Sequence, residues 1–314
     1  MIHDIAHRER AKLMFNPLNK IKKYLQSYPN QHHVRANLEV NNSHDPLTIL
    51  LDYPVHPHCR PMENSFGGKF IINSIESNKN TYSNHINNIS KYKQFLEKIP
   101  LQSSTSCEPV WENDMFPGLD AAFLYSLIAS TKPSRYIEIG SGTSTKFARR
   151  AIDDHQLATK IISIDPAPRA DIDELCHEVI RLPFEDVSYD FFSKLNGNDV
   201  FFLDGSHRTF QNSDATVFFI EHLNALPEGC YYGIHDIFLP YDYPEAWAQR
   251  FYSEQYLLAS YILGGGNGDS IEFPAWYMCR NDHMWEKIQE LFDWDVSNEI
   301  QRHGGAFWMR RGVK

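Results

Sequence analysis

Two short stretches carry side chains able to do chemistry. In FLDGSH, residues 202–207, an aspartate (Asp204) stands three residues before a histidine (His207), and in GIHD, residues 233–236, a histidine (His235) stands directly before an aspartate (Asp236). Carboxylates orient a substrate or bind a divalent cation through oxygen. Imidazole titrates near working pH and can take a proton in a transition state. Two chemistries fit these residues. In one, Asp204, Asp236 and His235 bind a divalent metal that activates a hydroxyl, and His207 removes its proton. In the other, a His–Asp pair does the base chemistry without metal.

A third stretch, YIEIGSGTST from Tyr136 to Thr145, reads as a strand entering a glycine turn. A dinucleotide fingerprint needs G-x-G-x-x-G, but Gly140 and Gly142 are followed by Thr145 where the third glycine belongs. A P-loop fails as well, because Lys146 is preceded by Thr145 and followed by Phe147. Glu138 sits in the strand just before the turn, where its charge would repel a pyrophosphate and attract an amine or a sulfonium. S-adenosylmethionine carries both and has no phosphate, while backbone N–H groups of the turn can cradle its carboxylate. Asp165, 27 residues beyond Glu138, ends the next strand, where an acid can hold ribose hydroxyls.

The elements around these stretches alternate. Apolar strand-like runs at 135–140, 160–165, 178–182, 199–204 and 230–236 are separated by helical patterns near 144–154, 170–177, 185–195, 210–225 and 243–262. A helix over 118–131 precedes them. Two more strand candidates, 270–278 and 306–311, flank a helix near 283–293. This predicts an α/β fold with a doubly wound, mostly parallel seven-stranded sheet, with ligands at the carboxyl ends of the strands. Residues 1–112 differ in character. Short apolar runs at 47–55 and 68–75 precede a helix whose apolar residues run from Tyr82 to Ile99, and the stretch is expected to be a small α+β segment serving as a cap or oligomerisation element. The boundary is placed at 112/113.

Residues 115–280 resemble class I S-adenosylmethionine-dependent methyltransferases through EIGSGTST, SIDPAPR and DVFFLDGSH in that order. The resemblance implies a Rossmann-like methyltransferase fold in which Glu138, Gly140, Ser141, Gly142 and Thr143 form the methionine-end loop and Asp165 holds the ribose. Phe184 and Glu185 would lie by the adenine, and Asp204 would face the cofactor. The Asp204–His207 spacing is similar to that of metal-dependent catechol and sugar O-methyltransferases, and a histidine at the second position resembles the sugar branch. That branch implies Mg²⁺. The chain departs from its pattern after the fifth strand, where His235-Asp236-Ile237 replaces an Asp-Asn or Asp-Asp pair, and imidazole suits softer divalent ions such as Mn²⁺. The expected acceptor is a small-molecule or sugar hydroxyl. Two rival readings stay open: an N or carboxyl acceptor, against which the absence of NPPY counts, and a non-catalytic cofactor-binding protein of the same fold.

Composition bounds the rest. A net charge of -10 without a basic run argues against a nucleic-acid partner. No segment approaches a membrane span or a signal-peptide core, and five scattered cysteines without CxxC suit reduced thiols, so a cytoplasmic protein is expected. VHPHC (55–59) is expected to be a loop rather than a zinc site. GGGNGD (264–269) is read as either a mobile loop near the acceptor or a plain connection. Tyr241, Tyr243 and Trp247 either line an acceptor pocket or pack a helix. The Asn-rich helix near 82–99 is an expected contact for a homo-oligomer.

Overall fold

The computed structural model describes residues 55–103, 105–192, 194–295 and 298–312. The apolar runs read as strands do form one seven-stranded sheet: β1 (Arg135–Ile139), β2 (Lys160–Ile164), β3 (Glu178–Ile180), β4 (Val200–Leu203), β5 (Tyr231–Ile234), β6 (Ser270–Pro274) and β7 (Phe307–Arg310). The order is β3-β2-β1-β4-β5-β7-β6. The pairs from β3 through β5 are parallel, and β7 runs antiparallel to both β5 and β6. This is the doubly wound, mostly parallel seven-stranded sheet expected from the alternation. The central strands are apolar on both faces because helices flank the sheet, so residues such as Ile137, Ile161, Phe201 and Ile234 have almost no exposed surface.

The helices flanking the sheet begin with α1 (Phe66–Glu76), α2 (Lys79–Ser90), α3 (Lys93–Leu96) and α4 (Gly118–Thr131). They continue with α5 (Thr143–Asp154), α6 (Tyr189–Phe192), α7 (Asp214–Val217), α8 (Glu254–Leu263), α9 (Ala275–Arg280) and α10 (Asp282–Leu291). α4 is buried along nearly its whole length, Asp120 and Ser126 included, beyond the single Leu119–Phe123–Leu127 face that its spacing predicts.

Several expectations are corrected. Residues 68–75 lie in helix α1 rather than in a strand: Ser65 caps the helix by accepting from the Gly68 N–H, and Ile71 and Ile75, four apart, bury one face. The described part of the N-terminal segment is therefore helical and not α+β, while the run at 47–54 lies outside the described residues. Residues 56–112 belong to the same compact unit as the rest of the chain, with α2 packed on α4, α10 and β6. The helix expected at 170–177 is only a turn at Asp173–Leu175, a stretch in which Ile172 alone is fully buried. Those expected near 185–195 and 210–225 are each broken into short turns around α6 and α7. The strand expected over 270–278 stops at Pro274 and turns into α9, which buries Tyr277 and Met278.

GGGNGD is the plain connection. Ser270 pairs with Arg310, which pairs with Tyr231 at the start of β5, so the loop sits at the sheet edge opposite the carboxyl ends. Its Asp269 is held by Arg311 at 2.7 Å and by the hydroxyls of Tyr232 and Tyr261. No helix among the described residues is long and apolar enough to cross a membrane.

Candidate functional site

Parallel register carries the chemistry to one edge. The Asp204 N–H donates to the Ile139 carbonyl and the His235 N–H to the Leu203 carbonyl, so the ends of β1, β4 and β5 stand side by side. Gly140 meets this edge with a left-handed φ of 77°, and a Cβ there would lie 1.9 Å from the Asp204 carbonyl oxygen. Only glycine allows both the turn and the close approach.

The turn itself is built as a cradle. α5 begins at Thr143, so its free N–H groups open onto Gly140–Thr143. Gly142 has open space where a Cβ would project. The Ser141 N–H donates to Asp165 at 2.9 Å, which ties the acid at the end of β2 to the turn. Gly140, Ser141, Gly142, Thr143 and Asp165 are thus brought together. Glu138 lies beneath them, fully buried, accepting from Tyr136 Oη at 2.8 Å and from the hydroxyls of Ser144 and Thr145. It braces the turn from below.

Burial pushes the Glu138 carboxyl up to about 7, against three hydrogen bonds that favour its charge. The folded chain therefore keeps a proton that the unfolded chain, at the ordinary value of 4.5, gives up. Folding stability contributed by this group falls as pH rises through that window, by on the order of 3 kcal/mol. Glu138→Gln is expected to abolish that dependence: melting temperatures of the two proteins, compared from pH 4.5 to 7, should converge or cross as pH rises. A constant difference would contradict a buried, titrating Glu138.

Phe184 and Glu185 are not joined to this cradle. Phe184 is buried against Phe192, Phe201 and His222, because the turn after β3 folds its ring into the core. Glu185 is exposed on the same turn.

The four acid and imidazole groups expected at β4 and β5 do converge. His207 is buried, with Nε2 3.4 Å from an Asp204 oxygen and 3.5 Å from an Asp236 oxygen. Its Nδ1 meets the carboxylate of Glu254, a residue with no exposed surface at the start of α8. His235 is buried too, with Nδ1 3.3 Å from Asp204 and Nε2 3.4 Å from Asp120. Asp120 also accepts from the Gly305 and Ala306 N–H groups, locking the loop before β7 against the start of α4. Asp204, His207 and Asp236 each offer a ligand atom, all within 4.8 Å of one another. His207, and not the expected His235, completes that tight set. His207 and Asp236 both have left-handed backbones, φ 60° and 56°. Such strain persists where surrounding bonds hold it, here Ser253 N–H to His207 O and Ile237 N–H to Gly305 O.

The charges reinforce one another. Burial disfavours a charged imidazole at His207, but Glu254 and Asp204 outweigh it and hold its pKa well above the ordinary value. Burial is likewise outweighed at His235 by Asp204 and Asp236. Burial opposes ionisation of Asp204, yet His235 and His207 hold that carboxyl below its usual range. Glu254, Asp120 and Tyr252, whose ring stacks on His207 at 4.5 Å, were not expected from the sequence. Nothing local marks them; they reach the site from α8, from α4 and from the loop before α8. Tyr243 is buried against Phe238, while Trp247 is half-buried against Phe238 and Tyr252. VHPHC is an exposed stretch tied to the chain by the Cys59 N–H bond to Glu245.

Residues 137–237 match the family model described as a methyltransferase domain. No curated protein matches the chain. Among solved structures, an SAH-bound methyltransferase of Podospora anserina is 13% identical with a TM-score of 0.37, over 62% of this chain and 78% of its own. An O-methyltransferase of Bacillus cereus in complex with SAH is 11% identical with a TM-score of 0.32, over 79% and 100%. A protein of Thermobifida fusca described as a putative methyltransferase is 13% identical with a TM-score of 0.29, over 63% of this chain and 85% of its own. These likenesses are distant and carry no functional inference.

Proposed function

We propose that this chain, an S-adenosylmethionine-dependent methyltransferase, methylates a hydroxyl of a small molecule or sugar with His207 as the proton acceptor. The observation that carries this reading is His207 itself, buried between the Glu254 carboxylate on Nδ1 and the Asp204–Asp236 pair on Nε2. S-adenosylmethionine supplies the methyl group as an electrophile already activated by its sulfonium. Gly140, Ser141, Gly142 and Thr143 would hold its methionine end with backbone N–H groups, and Asp165 its ribose.

What is left to the protein is aim and one proton. Glu254 fixes the His207 ring and stabilises the imidazolium that forms when Nε2 takes the acceptor proton. Asp204 and Asp236 stand where the hydroxyl must lie and can accept its hydrogen bonds. His235, clamped between Asp204 and Asp120, keeps the carboxylates in place.

Because its carboxylate neighbours raise the His207 pKa, the unprotonated base appears only on the alkaline side, and kcat/KM should rise with pH through that region. Glu254→Gln removes one of the charges that hold the proton, so its acid limb should move to lower pH while the maximal rate falls. An unmoved limb would exclude His207 as the titrating base.

A second reading is favoured by the convergence of Asp204, His207 and Asp236 within 4.8 Å. Two carboxylates and an imidazole fit a divalent cation, Mn²⁺ better than Mg²⁺. Those three residues would hold it, Glu254 would orient the imidazole from behind, and the ion would lower the pKa of a bound hydroxyl. The readings exclude each other at one atom, His207 Nε2, which serves either as proton acceptor or as ligand. Activity that survives exhaustive chelation supports the base; activity lost on chelation and restored by Mn²⁺ supports the ligand.

A further inference from the structure

Next to His207 stands a pair of arginines for which the methyl-transfer reading has no use so far. The Tyr252 ring, stacked on His207 at 4.5 Å, carries the Arg208 guanidinium 5.2 Å from its centroid and that of Arg250 at 5.7 Å. Arg250 also lies 3.9 Å from the centroid of Trp247. Arg208 is steadied by bonds from Nε to the Arg250 carbonyl and from Nη1 to the Ser206 carbonyl. Among the described residues neither guanidinium has a carboxylate partner, and the Arg250 guanidinium makes no hydrogen bond. The acids of the site do not need these cations either, since Asp204, Asp236 and Glu254 already face His207 and His235. Guanidiniums set on aromatic faces, with donors left free, are built to take an oxyanion.

We propose that Arg208 and Arg250 form a clamp for an anionic group on the acceptor, so that the substrate is a hydroxylated carboxylate, phosphate or sulfate. The clamp rests on the reading of His207 as the methyl-transfer site. Both guanidiniums lie on the Tyr252 ring that itself stacks on the imidazole, which sets the clamp beside the site, and the acceptor is one that carries its hydroxyl and its oxyanion on the same small molecule.

The test is calorimetric binding to the full chain with saturating S-adenosylhomocysteine and a chelator present, so that no cation binds the probe. Matched pairs are titrated: catechol against 3,4-dihydroxybenzoate, and glucose against glucose 6-phosphate. The anionic member of at least one pair should bind about tenfold or more tighter, with an advantage that shrinks in salt. The responding pair distinguishes carboxylate from phosphate. Arg250→Gln, which removes no protein hydrogen bond, should reduce the preference to about twofold or less, and Arg250→Lys should restore part of it. Equal binding within both pairs, no binding by any probe, or a preference that survives in the Arg208→Gln/Arg250→Gln protein would overturn the clamp. Failure of S-adenosylhomocysteine itself to bind would instead overturn the methyl-transfer reading, and the charge preference is then scored on the chain alone.

Discussion

Replacing His207 with alanine is expected to lower methyl transfer by about 10²–10⁴-fold, the range for losing a positioned general base. S-adenosylhomocysteine should still bind, because the cradle at Gly140–Thr143 and Asp165 does not touch the imidazole. The complication is stability. His207 is the cation facing Glu254, and removing it strands a carboxylate that has no exposed surface. Leaving a buried charge without its partner costs about 3–5 kcal/mol. The His207→Ala/Glu254→Gln double variant removes the stranded charge and should regain most of the melting temperature while staying inactive. A double variant that is stable and also active would remove His207 from the chemistry under either reading of its Nε2. Measuring Mn²⁺ affinity in Glu254→Gln and His207→Ala separates the two: a ligand loses the metal, whereas a base leaves its affinity nearly unchanged.

The second large effect is expected at the turn. Gly140→Ala should prevent a stable fold, since the new Cβ would lie 1.9 Å from the Asp204 carbonyl oxygen at a φ of 77°. The left-handed conformation alone costs roughly 1–2 kcal/mol for a residue with a Cβ. Relieving the contact would also push β1 and β4 apart at the point where Asp204 is hydrogen-bonded to Ile139. Gly142→Ala is the control. Its backbone is extended and its Cβ would enter open space. It should melt like the parent, yet fill the cradle and weaken S-adenosylhomocysteine binding measurably by calorimetry. If Gly142→Ala bound the ligand normally, the ligand would lie elsewhere; if Gly140→Ala folded normally, the strand ends would be less closely packed than described here.

Local sequence alone determined a good deal of this protein. Runs such as RYIEIG and DVFFLD specify buried parallel strands, because only a strand covered on both faces tolerates so little polarity. The failure of both phosphate motifs at Gly140–Thr145 and the presence of Asp204, His207, His235 and Asp236 at strand ends were likewise legible, since parallel register carries successive strand ends to one edge. Tertiary structure decided the rest. That Glu138 braces the turn from beneath depends on Tyr136, Ser144 and Thr145 closing over it, which periodicity cannot show. The packing of Phe184 against Phe192, Phe201 and His222 joins residues that no local pattern pairs. GGGNGD lies away from the site because β6, which it enters, runs in the same direction as β5, so their starts share the edge opposite the carboxyl ends. Glu254, Asp120 and Tyr252 come from elements distant in the chain, and their roles arise only when α4, α8 and the strand ends pack together. Whether His207 acts as base or ligand is set by those partners. An imidazole's chemistry belongs to what surrounds it, and its surroundings are assembled by the fold.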